Sequence, residues 1–395
     1  MDSASYRLGV VTTHPIQYQT PLFSHLVQHE QINLTVYFEN NISLTGSVDP
    51  GFGVVVTWDR VDVSSYQARF LNEYNEVKTQ NLSFWEIFRH LMTIFRQDKL
   101  DAVLVFGYAS KIARAAHIAA RLLRIPVFLR GESEIFMPRS RVQTLARDIM
   151  AFFLTRTSSR LMYIGKANLA FYKRYGNPDS KLFFAPYGVD NQYFISQQNA
   201  LMSQRKVLRQ AYGYGDDTVV IVFSAKLIER KRPMDLLKAY QKLHQQGHPV
   251  GLLFIGEGPL RQHMESYLKQ HEIEGVHITG FKNVTEMAQE YIVGDIFVLP
   301  SSKDTWGLVV NEAMLFGMPA IVTDRVGSHY DLIEEGVTGF MYEHGDVDAL
   351  VDVLVPLVTD ADLRHKMGHA ARQKVEHYSY ETNAQAILKA LASLQ

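Results

Sequence analysis

The chain has 395 residues, too many for one ordinary hydrophobic core, so two domains are expected. A formal charge of −1 argues against bulk attraction to nucleic acid, and the absence of cysteine excludes disulfides and thiolate metal sites, as suits a reducing compartment. The start, Met1-Asp2-Ser3-Ala4-Ser5-Tyr6-Arg7, lacks a basic region followed by an apolar stretch, and no run of about 18 apolar residues occurs, so a soluble or membrane-surface protein without a signal peptide is expected.

In chain order the pattern is strand then helix, repeated twice over. The first half offers strands over 7–13, 33–38, 102–107, 126–130, 160–164 and 181–185, with helices over 84–95, 112–123, 142–153 and 167–175 between them. Several of the strands are near-continuous apolar runs, as in parallel sheets covered on both faces. The Pro/Gly stretch Pro186-Tyr187-Gly188-Val189-Asp190 marks the join. The second half offers strands over 218–224, 251–255, 276–279, 296–300 and 320–323, and helices over 234–245, 260–271, 284–292, 308–316 and 348–358. This alternation predicts an α/β protein of two doubly wound, Rossmann-like domains: 1–186, and 187–377 with a tail over 378–395. Ligands of such sheets bind beyond the carboxyl ends of the strands.

Several candidate groups fall at those ends. In the first half, His14 of Thr13-His14-Pro15 follows the first strand and can either contact phosphate or sugar or fix its own turn. Tyr108 and Ser110 follow the 102–107 strand. Glu132 of Arg130-Gly131-Glu132 can bind or deprotonate an acceptor hydroxyl, or pair with Arg130. The stretch 111–181 carries 14 Lys/Arg against 4 Asp/Glu, which makes either a solvated basic face or one suited to an anionic membrane.

In the second half, Lys226-Leu227-Ile228-Glu229-Arg230-Lys231-Arg232 at a strand-to-helix junction is either a solvated basic loop or a compact positive site of the kind a departing diphosphate needs. Gly256-Glu257-Gly258-Pro259 allows close backbone approach in a tight turn. The most informative run is Ser301-Ser302-Lys303-Asp304-Thr305-Trp306-Gly307-Leu308-Val309-Val310-Asn311-Glu312. It places one carboxylate on a loop, free amides at a helix start, and a second carboxylate inside the helix. Sugar hydroxyls, a phosphate and a ribose are what these groups can hold, the plain alternative being a capping Asp and a solvated helix Glu. Asp346-Val347-Asp348 has the look of a metal motif, but its place between Gly345 and a helix makes it an ordinary cap.

These motifs, in one order with Gly280-Phe281, Gly317-Met318-Pro319 and Gly336-Val337-Thr338-Gly339-Phe340, resemble the donor-binding half of the retaining glycosyltransferases of family 4, which have the GT-B fold. The resemblance spans about 185–394. It implies that the C-terminal helix crosses back to the first domain. It implies that Lys226, where the family usually has Arg, and Lys231 hold the donor diphosphate. Asp304, where the family usually has Glu, would bind hydroxyls of the transferred sugar. Trp306, Gly307 and Leu308 would offer amides, Glu312 would bind ribose, and Phe281 and Lys282 would lie near the base, with Gly256 in the donor site. His14 replaces a Gly-rich loop found in many members.

The expected function is retaining transfer from a nucleotide-diphosphate sugar to a hydroxyl of a glycan or lipid-linked acceptor. Lys226, Lys231, Asp304, Glu132 and His14 would carry it, the nucleotide sugar would be a substrate, and neither metal nor cofactor would be needed. The expected setting is cytoplasmic, at or near the inner membrane surface, in polysaccharide biosynthesis. The alternatives are a sugar-nucleotide epimerase, a phosphorylase, or a non-catalytic sugar-nucleotide-binding subunit. The acceptor loops are placed at 40–53 and 136–141.

Overall fold

The computed structural model describes residues 5–45, 47–49, 54–56, 58–73, 82–133 and 141–394. Most of the 136–141 acceptor loop and part of 40–53 lie outside the described residues. The chain forms two compact units. One comprises Met1–Ser47, Arg60–Tyr187 and Tyr380–Gln395, the other Val48–Asp59 and Gly188–Ser379.

The first unit is built on a seven-stranded sheet. Its order is Gln67–Phe70, Ile32–Phe38, Tyr6–Thr12, Ala102–Phe106, Val127–Arg130, Arg160–Tyr163, Leu182–Phe184, and every pairing is parallel. Alternate residues of one strand point to opposite faces. Leu8 and Val10 accordingly pack with helices Thr20–Leu26 and Tyr380–Ala392. Val11 packs on the other side with helices Phe84–Asp98 and Lys111–Leu122. The C-terminal helix thus returns to the first unit, burying Ala384, Ile387, Ala390 and Leu391 there. The edge strand Gln67–Phe70 was not legible in the sequence, because its residues are only partly buried and lack an apolar run.

The second unit has a six-stranded parallel sheet. Its order is Val276–Ile278, Val250–Ile255, Val219–Ser224, Ile296–Leu299, Ala320–Thr323, Gly339–Tyr342. The first four of these after the edge strand are wholly buried, which explains their unbroken apolar sequences. Helices Asn191–Leu201, Arg205–Ala211 and Ala361–Val375 and the strand Gly339–Tyr342 are additions to the elements expected from sequence. Ala361–Val375 is mostly polar and buries Met367, Gly368, Ala371 and Val375. A Cβ on Gly368 would lie 2.0 Å from the Gly317 carbonyl oxygen, so the helix can approach that turn only with glycine.

Strand order places the sites. In each sheet the chain runs outward from a central strand, then returns to that strand's other side. The second sheet reverses between Val219–Ser224 and Ile296–Leu299, the first between Tyr6–Thr12 and Ala102–Phe106. Loops leaving such a pair diverge and open a crevice at the carboxyl edge.

Candidate functional site

In the second unit the two loops flanking the reversal are those that carry the candidate charges. Lys226 follows Val219–Ser224, and the 3₁₀ turn Glu229–Lys231 continues that loop. Asp304 follows Ile296–Leu299. The loops are joined directly: Lys231 Nζ donates to Asp304 Oδ2, and only 12% and 14% of these side chains is exposed. Ser301 Oγ lies 3.4 Å from the same oxygen. The Ser302 amide donates to the Arg230 carbonyl at 2.9 Å, and the Arg230 guanidinium donates to the Lys303 carbonyl at 2.6 Å.

A third loop clamps the Asp304 segment from behind. The Asp304 amide donates to the Arg325 carbonyl and the Gly327 amide to the Asp304 carbonyl, both at 2.9 Å, and the Ser328 amide donates to the Trp306 carbonyl at 3.0 Å. A Cβ on Gly327 would fall 2.0 Å from the Thr305 carbonyl oxygen, so the two loops touch backbone to backbone. The Thr323–Ser328 segment was not among the sequence candidates. Its signal was the Gly-Ser pair after a buried strand.

Gly307 ends the Asp304 loop with φ of +88° and starts helix Leu308–Leu315. A Cβ there would press on Leu299 and Val326 at 3.0 Å, so both conformation and space demand glycine. The first-turn amides of this helix have no acceptors within it and carry the positive end of its dipole. Trp306 is buried, and its indole donates 2.9 Å to Asn311 Oδ1. Its side chain therefore anchors the helix start.

Glu312 lies one turn further. Burial pushes its carboxyl up to about 7, and the Tyr291 hydroxyl, donating to Oε2 at 2.7 Å, opposes the rise. Some of its surface remains accessible, although the carboxylate itself is deeply enclosed. Tyr291 also contacts the Ser224 side chain at the end of the neighbouring strand. Tyr291 is the residue that sequence reasoning missed, since nothing local marks a tyrosine 21 positions upstream as Glu312's partner.

The Gly256–Pro259 turn is laced to the Lys226 loop. Ala225 and Leu227 amides donate to Ile255 and Glu257 carbonyls at 3.1 and 2.9 Å. A Cβ on Gly256 would sit 2.0 Å from the Ala225 carbonyl oxygen, and Glu257 pairs with Arg261 at 2.6 Å. Gly256 thus packs loop on loop. Phe281 and Lys282 follow the edge strand Val276–Ile278. Phe281 meets the Trp58 ring edge-on at 5.6 Å, and the Lys282 ammonium lies between Glu286 and Glu290 at 3.5 and 3.6 Å. Asp346 caps helix Val347–Thr359 through the Ala349 amide at 2.9 Å, and Asp348 pairs with Lys242.

In the first unit, His14 follows Tyr6–Thr12 and shares a 3.0 Å hydrogen bond through Nδ1 with Thr13 Oγ1. Burial pushes its imidazole below the ordinary range, favouring the neutral form. Glu132 is exposed and accepts from the Tyr187 hydroxyl. Arg130, the partner considered for it, is buried and donates to the Pro186 and Ala185 carbonyls at 3.1 and 3.4 Å, between the rings of Phe106 and Tyr187. Arg130 therefore tethers the segment ending the unit. Tyr108 bonds Ser133, and Ser110 caps helix Lys111–Leu122 through the Ala113 amide at 3.2 Å.

A two-sheet parallel architecture with a returning C-terminal helix, and a basic and acidic site at the reversal of the second sheet, defines a GT-B protein. Residues 204–374 match the family model described as Glycosyl transferases group 1, so this part of the chain is similar to that family. It is 29% identical over 301 residues to the sulfoquinovosyl transferase SQD2 of Arabidopsis thaliana, covering 72% of this chain and 54% of that protein. It is 29% identical over 182 residues to the N-acetyl-alpha-D-glucosaminyl L-malate synthase of Bacillus anthracis, covering 46% and 47%. The chain thus spans about half the length of the curated relatives it matches. The Anabaena protein Alr3699/HepE, solved in complex with UDP, superposes with a TM-score of 0.75 at 17% identity over 98% of this chain and all of that one, which shows the shared fold.

Proposed function

We propose that the protein is a retaining glycosyltransferase that moves a sugar from a nucleotide-diphosphate sugar to a hydroxyl of a glycan or lipid-linked acceptor. The observation that carries this reading is the joined set at the second sheet's reversal: Lys231 held on Asp304, the Gly307 helix start, and Glu312 on the same helix. Lys226, Lys231 and the amides of Trp306, Gly307 and Leu308 hold the diphosphate. Asp304 takes hydroxyls of the transferred sugar, Glu312 the ribose, and Phe281 the face of the base. Lys282, held by two glutamates, orients the Phe281 loop. The acceptor oxygen attacks the anomeric carbon as the carbon–phosphate-oxygen bond breaks, and its proton passes to an oxygen of the leaving diphosphate. Glu132 and His14 serve the acceptor side. The nucleotide sugar is a substrate, and the basic groups and helix start replace a metal and any cofactor.

Thermal shift with UDP-, GDP-, ADP- and dTDP-sugars tests the donor site, because a ligand of the native state raises its melting temperature. One nucleotide class should stabilise the wild type and fail with Glu312→Ala. Turnover without inorganic phosphate, giving a new glycosidic bond, separates the reading from a phosphorylase, an epimerase and a mere binding subunit. A product of inverted configuration would overturn retention.

The same reading places the protein on the cytoplasmic face of an anionic membrane. Among the described residues no helix is long and apolar enough to cross one. Helix Arg141–Thr157 exposes Ile149, Phe152 and Phe153, and helix Lys111–Leu122 exposes Ile118 and Leu122. His117 Nε2 and Thr157 Oγ1, 2.8 Å apart, join the two helices. Arg121 and Arg156 flank the apolar side chains, Arg156 lying 5.8 Å from the Phe152 ring centre. Apolar side chains set among arginines fit a headgroup layer. The protein should sediment with phosphatidylglycerol vesicles and not with phosphatidylcholine vesicles, and Phe152→Ser/Phe153→Ser should abolish this.

A further inference from the structure

His25 lies on helix Thr20–Leu26, and His29 lies in the turn that follows it. Their rings stand 5.5 Å apart. Both Nε2 atoms face one oxygen of Glu381, at 2.8 and 3.4 Å. Glu381 belongs to the first turn of helix Tyr380–Ala392, where the chain re-enters the first unit. Its other oxygen accepts from the Gln385 amide at 2.7 Å, which orients the carboxylate.

The three potential ligand atoms lie within 4.8 Å of one another. A tetrahedral zinc ion with bonds of about 2.0–2.1 Å separates its ligand atoms by roughly 3.3 Å. The 3.4 Å contact of His29 is long for a charged hydrogen bond and close to that edge length. Two imidazole nitrogens and one carboxylate oxygen suit zinc and its first-row neighbours better than calcium or magnesium. Gln385 supplies the outer hydrogen bond that such carboxylate ligands commonly have. The outer side of Glu381 is exposed, which leaves room for water as the fourth ligand.

We propose that His25, His29 and Glu381 form a divalent transition-metal site, with zinc as its best-fitting occupant, that fastens the start of the C-terminal helix to the first unit. The site joins positions 356 residues apart in sequence, His25 and Glu381. It is built wholly within the first unit and has no part in donor binding. An ion held only by the folded chain stabilises it by mass action.

The test uses the full chain, free of any affinity tag and stripped with chelator, titrated with zinc chloride while the melting temperature is read. Cobalt(II) absorption gives a second readout that reports tetrahedral coordination directly. The melting temperature should rise with zinc concentration, and cobalt should give a visible band that zinc displaces. His29→Ala and Glu381→Gln should each weaken zinc binding at least about tenfold, in line with the loss of one ligand. Glu381→Gln keeps a hydrogen-bond acceptor beside both imidazoles, so it carries the test should His29→Ala fold poorly. No response to zinc, or an equal response in wild type and both variants, would overturn the proposal and leave a plain histidine–glutamate ion pair. The donor-induced shift should be unchanged in the variants, which separates this proposal from the transferase reading.

Discussion

The two sheets reverse direction in the same way, yet the chemistry at their reversals differs. In the second unit the charged groups are partnered and enclosed. Lys231 is held by Asp304, Glu312 by Tyr291, and the Asp304 loop is hydrogen-bonded to two neighbouring loops. In the first unit His14 lies beside a single threonine, and Glu132 stands exposed with Tyr187 as its hydrogen-bond donor. An enclosed, pre-paired site suits a ligand whose charge and shape do not vary, as a nucleotide diphosphate does. An open one suits a partner that differs from protein to protein. The difference also sets where stability and function conflict, because enclosed charges are costly when one partner is removed.

The largest effect should come from Lys231→Ala. On the proposed function it removes a diphosphate ligand, and it leaves Asp304 enclosed without its cation. Turnover should fall by about 10³, and stability by about 3–5 kcal/mol. Denaturant titration of the double variant Lys231→Ala/Asp304→Ala should show much of that stability restored while turnover stays lost. If the double variant were no more stable than the single one, the pair would not be an enclosed unit, and the contrast with the first unit would weaken.

Glu312→Gln should separate function from stability. The Glu312 carboxyl titrates at 4.5 when unperturbed and at about 7 in the fold. Between those values the folded chain holds a proton that the unfolded chain releases. Stability from this group is therefore full below the lower value and is lost as pH rises to the upper one, by up to about 3 kcal/mol. The glutamine variant should lack this decline and be more stable than wild type at pH 8. Donor affinity should move the opposite way. Wild-type affinity should rise roughly tenfold from pH 6 to pH 8 as the carboxylate, the proposed acceptor of ribose hydroxyls, ionises around its value of about 7, and the variant should bind weakly with no such rise. A wild-type stability curve flat between pH 5 and 7 would remove the physical basis for this prediction.

Smaller effects are expected in the first unit. Glu132→Gln should lower kcat by about 100-fold and leave the donor-induced melting shift intact, because the proposed function puts Glu132 on the acceptor side. His14→Asn, which keeps a hydrogen-bonding group beside Thr13, should cost less than about tenfold in kcat. A loss of donor binding in either variant would move that residue to the donor side and erase the contrast between the two units.

The sequence determined the alternation of buried strands and helices, because a parallel strand covered on both faces must be apolar throughout. Val219–Ser224 and Val250–Ile255 could be read directly for that reason. It also marked the residues at the ends of those strands, since Gly307, Asp304 and Lys231 serve local needs of turn, charge and helix start. Only the tertiary structure decided which strand ends are neighbours, and so which charges meet. The Lys231–Asp304 pair spans 73 positions, and Tyr291 reaches Glu312 from the end of a separate helix. The same holds for the tether of Arg130 to Pro186 and for the meeting of His25 and His29 with Glu381. Hydrophobic periodicity records which face of an element is buried. It carries no label for the partner, which the strand order and the return of the chain supply.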